Sequence, residues 1–278
     1  MSKVWLITGA GSGIGAGIAK AALRAGDRVV ATGRNLEKVG GALRHVASDN
    51  LALVQMDVAV EPQVHTGVAQ AVEAFGRIDV AVNNAGYSLL GNFEEMAISE
   101  LEQQMATNFY GVAYVMRAVL PIMRKQRSGH ILNISSMAGV IGYEHCGAYA
   151  ASKFAVEGLS LSVAAEVEQF GIKMTLVEPG FFRTDLLEPK NAKYPANAID
   201  DYGAVGSVEQ QWAVYNGTQQ GDPDKLGEAI VKLANMANPP KQFSAGSDAV
   251  AGIRQSLEVR LQEIKANEEL SKSTDGSY

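Results

Sequence analysis

Cysteine is nearly absent from this chain. Cys146 is the only one among 278 residues, so no internal disulfide can form and a cross-linked scaffold is excluded. Such scarcity fits a reducing compartment. A basic surplus is also missing: 24 Lys and Arg stand against 30 Asp and Glu, a net charge of −6. Nucleic-acid binders need a basic face for phosphates, so no nucleic-acid partner is expected. No apolar run approaches the roughly 18 residues of a membrane span. The apolar run Val4–Ile7 is too short for a secretory h-region, and no small-residue cleavage site follows it. A cytoplasmic protein with no membrane partner and no metal site is expected.

What the chain does contain is ordinary core material, with 47% hydrophobic and 19% charged residues. Short β-branched runs alternate with longer helical patterns. Strands are expected at 4–7, 28–32, 51–56, 78–82, 129–134, 172–177 and, briefly, 242–245. Helices are expected at 14–25, 36–47, 62–75, 99–127, 148–170, 222–238 and 248–266, with a polar tail at 268–278. This alternation implies an α/β fold: a doubly wound, Rossmann-type parallel sheet of about seven strands with helices on both faces. One domain, 1–278, is expected, closed by a C-terminal helical extension. Residues 184–222 have weak periodicity, and so long a stretch reads as a substrate loop or lid.

The first strand runs into Thr8-Gly9-Ala10-Gly11-Ser12-Gly13-Ile14-Gly15. Glycines there remove the Cβ atoms that would block a pyrophosphate from backbone N–H groups at a helix N-terminus. A tight turn without a ligand would use the same residues. The position between strand and helix favours nucleotide binding. The spacing Gly9, Gly13, Gly15 departs from the general dinucleotide fingerprint.

Tyr149 and Lys153 are separated by one helical turn, so they project from the same face. A cation near a phenol favours the phenolate and lowers its pKa. A phenol so tuned can exchange a proton with a carbonyl or alcohol oxygen. Ser136, after the fifth strand, can hydrogen-bond the reacting oxygen. Singly, these features fit a surface pair and a turn; together, behind the glycine loop, they point to one chemistry.

These motifs resemble those of the short-chain dehydrogenase/reductase family in its single-domain form. The loop at 8–15 is similar to its T-G-x-x-x-G-x-G, and Asn83-Asn84-Ala85-Gly86 to its N-N-A-G. Asn108, Ser136, Tyr149 and Lys153 match its catalytic residues; Pro179-Gly180 and Thr184 match the segment after its sixth strand. The likeness is dense from residue 3 to about 185. It implies Tyr149 as general acid/base and Lys153 as the group that lowers its pKa and holds the nicotinamide ribose. It implies Ser136 on the substrate oxygen and Asn108 positioning a relay water. Gly9, Gly11, Ser12, Gly13, Ile14 and Gly15 would cradle the cofactor. Asp57 and Val58 would meet the adenine, Asn84, Ala85 and Gly86 the adenosine side, and Pro179, Gly180 and Thr184 the nicotinamide. It also implies a homo-oligomer, dimer or tetramer, paired through the helices at 99–127 and 148–170.

NAD enzymes usually place an acid after the second strand. Gly33 and Arg34 occupy that place, and an arginine suits a 2′-phosphate. NADP is therefore the expected cofactor, although Ser12 stands where many NADP members carry a basic residue. The pocket should lie beyond the strand ends, among Met137, Tyr143, His145, Phe181, Phe182 and Leu187, with Trp212 and Tyr215 from the long loop. That set suggests a hydrophobic ketone, aldehyde or alcohol. His145 is a second acid/base or, better, a wall residue; Arg183 meets an anionic substrate or a salt bridge. A catalytically silent nucleotide-binding sensor on the same fold is the alternative reading.

Overall fold

The four residues of β1 (Val4–Ile7) are all buried, as a strand covered on both faces must be. The structure is a computed structural model that describes residues 2–188 and 191–276. After β1 come α1 (Gly13–Arg24), β2 (Arg28–Gly33), α2 (Leu36–Leu43), β3 (Leu51–Gln55), α3 (Glu61–Phe75) and β4 (Val80–Asn83). The chain continues through α4 (Ile98–Met105), α5 (Gly111–Gln126), β5 (Gly129–Ile134), α6 (Gly147–Val167) and β6 (Ile172–Pro179). It ends with α7 (Val208–Ala213), α8 (Pro223–Asn235), β7 (Gln242–Ala245), α9 (Ser247–Ala266) and α10 (Glu268–Lys272).

The seven strands form one parallel sheet in the order β3-β2-β1-β4-β5-β6-β7. One core lies against α3, α5 and α6, where Val64, Val115 and Val156 are sealed from water. The other lies against α1, α2 and α8, through Ile18, Leu43 and Ile230. A Cβ on Gly17 would strike the Pro223 carbonyl and one on Gly227 the Gly17 carbonyl, so α1 and α8 cross backbone to backbone. Strand order reverses between β1 and β4, and ligands in such sheets bind beyond the strand ends at that point.

Three local expectations change. The expected single helix at 99–127 is α4 and α5 joined by a π turn, Ala106–Tyr110, with Asn108 inside it. Single π turns widen a helix and recur at functional sites. The polar tail contains α10, and its last two residues, 277–278, lie outside the described residues. The long loop holds short helices at Asp185–Leu187, Asp200–Val205 and α7. Residues 189–190 of that loop are outside the described residues. Its near end is pinned by Lys193 N donating to Ser88 O (2.9 Å) and Leu90 N donating to Lys193 O (2.9 Å). Among the described residues no helix is long and apolar enough to cross a membrane.

His130 on β5 supplies a pH test of this core. Thr175 Oγ1 donates to Pro240 O at 2.7 Å, so His130 Nε2, 2.9 Å away, must be the N–H that Thr175 accepts. Nδ1 is buried without a partner, and a proton there would have no acceptor. Burial, with Lys173 and Lys3 adding repulsion, pulls the imidazole pKa from 6.5 down to about 4. The unfolded chain therefore binds the proton first. Stability is complete above pH 6.5 and is lost as pH falls toward 4, by about 3 kcal/mol from this group. Urea midpoints of the natural chain and His130→Gln, taken across that range, should diverge; parallel curves would refute the assignment.

Candidate functional site

The turn after β1 is built for close approach. Gly9 (φ +65°) and Gly13 (φ +53°) take left-handed backbone that favours glycine, and a Cβ on Gly9 would lie 2.8 Å from Ala85 Cα. Thr8 Oγ1 accepts from Asn84 N (2.9 Å) and Ala85 N (3.0 Å), while Asn84 Nδ2 donates back to Thr8 O (3.0 Å) and Gly9 O (3.2 Å). The loops after β1 and β4 are thereby held together. Ser12 at the N-cap of α1 makes no side-chain cap bond, so the first-turn N–H groups remain available to an anion.

A long cleft crosses these strand ends. Gly9, Gly11, Ser12, Gly13, Ile14, Arg34, Asp57, Val58, Asn84, Ala85, Gly86, Pro179, Gly180 and Thr184 line it, together with Ser136, Tyr149 and Lys153. Two expected site residues lie behind its wall. Gly15 packs inward, where a Cβ would collide with Gly9 O and the Asn84 amide. Asn108 is 1% exposed; its Oδ1 accepts from Tyr87 N (3.2 Å), and its Nδ2 donates to Tyr87 O (3.0 Å) and Ser152 Oγ (3.2 Å). Ser152 Oγ in turn donates to Tyr149 O at 2.7 Å. Asn108 thus braces the helix that carries Tyr149 and Lys153.

Sequence reasoning missed Lys38, which lines the cleft with Arg34 and Asn35. The Asn35 side chain caps α2 by accepting from Lys38 N at 2.9 Å, placing Lys38 in the first turn. A Cβ on Gly11 would lie 3.3 Å from Lys38 Cγ. A capping residue three positions before a lysine was the available signal. α2 thus places a lysine beside the glycine loop.

At the Tyr149–Lys153 motif burial acts on both groups. Lys153 Nζ donates to Ile134 O at 2.8 Å and stands 5.6 Å from the Tyr149 ring centre. Burial pushes the Tyr149 phenol up to about 12, against a lowering hydrogen bond from Ser136. Desolvation is the largest influence on both groups. Burial also pulls Lys153 down to about 8, opposed by the charge of Glu157. Glu157 itself is raised to about 7 by burial. Gln242 Nε2 bridges it to Glu178, at 3.3 and 3.1 Å. Only β6 and β7 packing behind α6 reveals this buried pair of acids.

A second cavity opens beside the cleft. Met137, Tyr143, Phe181, Phe182, Leu187 and Trp212 line it, with Leu90, Cys146 and Gln219. His145 is not among its lining residues: its backbone is left-handed (φ 62°) and its imidazole lies 3.7 Å from the Glu144 carboxylate. Burial raises Cys146 to about 12, which keeps the thiol protonated. Arg183 turns away and donates from Nη2 to Gln219 O at 3.2 Å. Phe181 stacks on Tyr215 (5.4 Å between ring centres) and tilts against Trp212 (6.3 Å), so the long loop roofs the cavity with aromatics. The cleft and the cavity share Ser136, Tyr149, Gly180, Phe182, Thr184 and Leu186.

Comparison with known proteins agrees with this layout. The model of the short chain dehydrogenase family matches residues 3–195. Oxidoreductase BOA17 of Botryotinia fuckeliana is 38% identical over 93% of this chain and 94% of its own. The crystal structure of a short-chain dehydrogenase from Streptomyces avermitilis is 36% identical, covers 99% of both chains and superposes with a TM-score of 0.90. The structure of ElxO with NADP bound is 31% identical, covers 90% of this chain and 100% of its own, and has a TM-score of 0.75. With the glycine turn, the Tyr149–Lys153 helix and the sheet order all in place, the chain belongs to the short chain dehydrogenase family.

Proposed function

We propose that the chain is an NADP(H)-dependent oxidoreductase interconverting a carbonyl and an alcohol on a hydrophobic substrate. The observation that carries this reading is the meeting of an uncharged cavity and a glycine-lined cleft at Ser136 and Tyr149. The cleft fits a dinucleotide because glycines open its floor and an uncapped helix end faces it. The nicotinamide of that cofactor would supply or accept the hydride. A similar structure, ElxO with NADP bound, supports the assignment of a nicotinamide cofactor.

The protein's own groups handle the proton. With its pKa near 12, Tyr149 keeps its phenolic proton at neutral pH and can donate it to a carbonyl oxygen. Ser136 is placed by its cap on the short helix after β5, where its Oγ accepts from Ala138 N at 3.1 Å. Its remaining hydrogen-bonding capacity can hold the same substrate oxygen. Lys153 stays charged below about pH 8 and favours the phenolate that proton donation leaves. Asn108 acts through Ser152 to position the helix. Arg34 and Lys38 at the far end of the cleft suit a 2′-phosphate.

A panel of apolar ketones and aldehydes tests this with NADPH consumption as readout. Turnover and formation of the corresponding alcohol are expected. NADPH binding without turnover on any member would favour a silent nucleotide sensor instead.

A further inference from the structure

Gln219 lies in the long loop at 184–222, where sequence alone gives it no individual role. Arg183 N donates to Gly221 O (2.8 Å), Gly221 N donates to Phe181 O (3.0 Å), and Arg183 Nη2 holds Gln219 O. These bonds pin residues 219–221 across Phe181–Arg183 in a short parallel bridge. A side chain at Gly221 would collide with the Phe182 ring, 2.6 Å from a Cβ, so this approach requires glycine. The loop position is thus preorganised rather than adaptable.

The Gln219 side chain lines the cavity next to the catalytic tyrosine and is only 5% exposed. Its Oε1 is fully buried and has no hydrogen-bond partner. Buried amide oxygens are almost always paired, and leaving one unpaired is costly. None of the residues lining the cavity is a Lys, Arg, His, Asp or Glu. A charged substrate group would find no counter-ion, and a wholly apolar substrate would leave Gln219 unsatisfied. The terminal amide torsion is soft, so the carboxamide can turn its oxygen toward a ligand.

We propose that Gln219 is a specificity-determining residue that accepts a hydrogen bond from the substrate. The substrate class is an uncharged, mainly apolar carbonyl compound that carries a hydroxyl or amide N–H away from the reacting carbon. This rests on the oxidoreductase reading above and deepens it. A pocket that pairs such a group rejects an analogue lacking it, because the amide is then sealed off unpaired.

The test compares matched ketones with NADPH: a plain one, one bearing a remote hydroxyl, and its methyl ether. In the natural chain kcat/KM should favour the hydroxy ketone over the other two by about 10- to 100-fold. Gln219→Met keeps the length without the amide, and should bring that ratio close to one. Gln219→Asn, which keeps an amide on a shorter arm, should retain part of the preference. NADPH binding by both variants shows that they fold, since Gln219 does not line the cofactor cleft. An equal preference in Gln219→Met, or an ether as good as the alcohol, would overturn the proposal. Efficient reduction of all three ketones without discrimination would overturn it while sparing the oxidoreductase reading. No reduction of any would remove both.

Discussion

Tyr149→Phe is expected to lower kcat by roughly a thousandfold, within the range general acid–base groups contribute. The ring and its packing remain; only the hydroxyl goes. The neighbours are poor substitutes: the Ser136 hydroxyl is a far weaker acid than a phenol, and Lys153 Nζ donates to Ile134 O. Cofactor affinity should change little, because most of the cleft wall is untouched. A second measurement separates proton donation from mere positioning. Burial places the free site's Lys153 near 8 and Tyr149 near 12. In the reducing direction kcat/KM should therefore be flat in mildly acidic and neutral solution. It should fall as pH rises through about 8, where the ammonium loses its proton. The sign follows from which form is charged: a lysine with a lowered pKa is protonated below it and neutral above. A profile that rises through pH 8, or turnover that survives the phenylalanine, would reject the assigned roles.

Arg34→Ala is expected to cut kcat/KM for NADPH by about 100-fold and leave NADH nearly untouched. A charge-assisted contact to a phosphate is worth roughly 2–3 kcal/mol, and 1.36 kcal/mol is tenfold. Arg34 follows the last residue of β2 and lines the cleft, while its own carbonyl accepts from Gln55 Nε2 at 3.1 Å. Lys38→Ala should weaken NADPH in the same direction but less, because a lone ammonium lacks the bidentate fork. The two cations share one region, so the double variant should lose less than the product of the single losses. Equal losses with both cofactors would show that Arg34 supports the cleft generally and does not read the phosphate.

The order of these elements was legible because each signal is local. The apolar run of β1, the glycines after it and the one-turn spacing of Tyr149 and Lys153 depend only on residues close in the chain. Strand and helix periodicity follows from the same short-range geometry. The sequence also marked Arg34, since its position is defined by the strand that precedes it.

Other features arise only when distant segments meet. The π turn at Asn108 is favoured by bonds to Tyr87 and Ser152, 21 and 44 residues away. Lys38 matters because α2 folds its first turn back toward Gly11. Burial raises the Tyr149 phenol, and burial is a property of the assembled core. Gln219 became visible only once the long loop returned to Phe181–Arg183. The sequence by itself determined the family's motifs and the order of strands and helices along the chain. The tertiary structure decided the electrostatics and the pocket, because desolvation and long-range contacts have no signature in the spacing of residues.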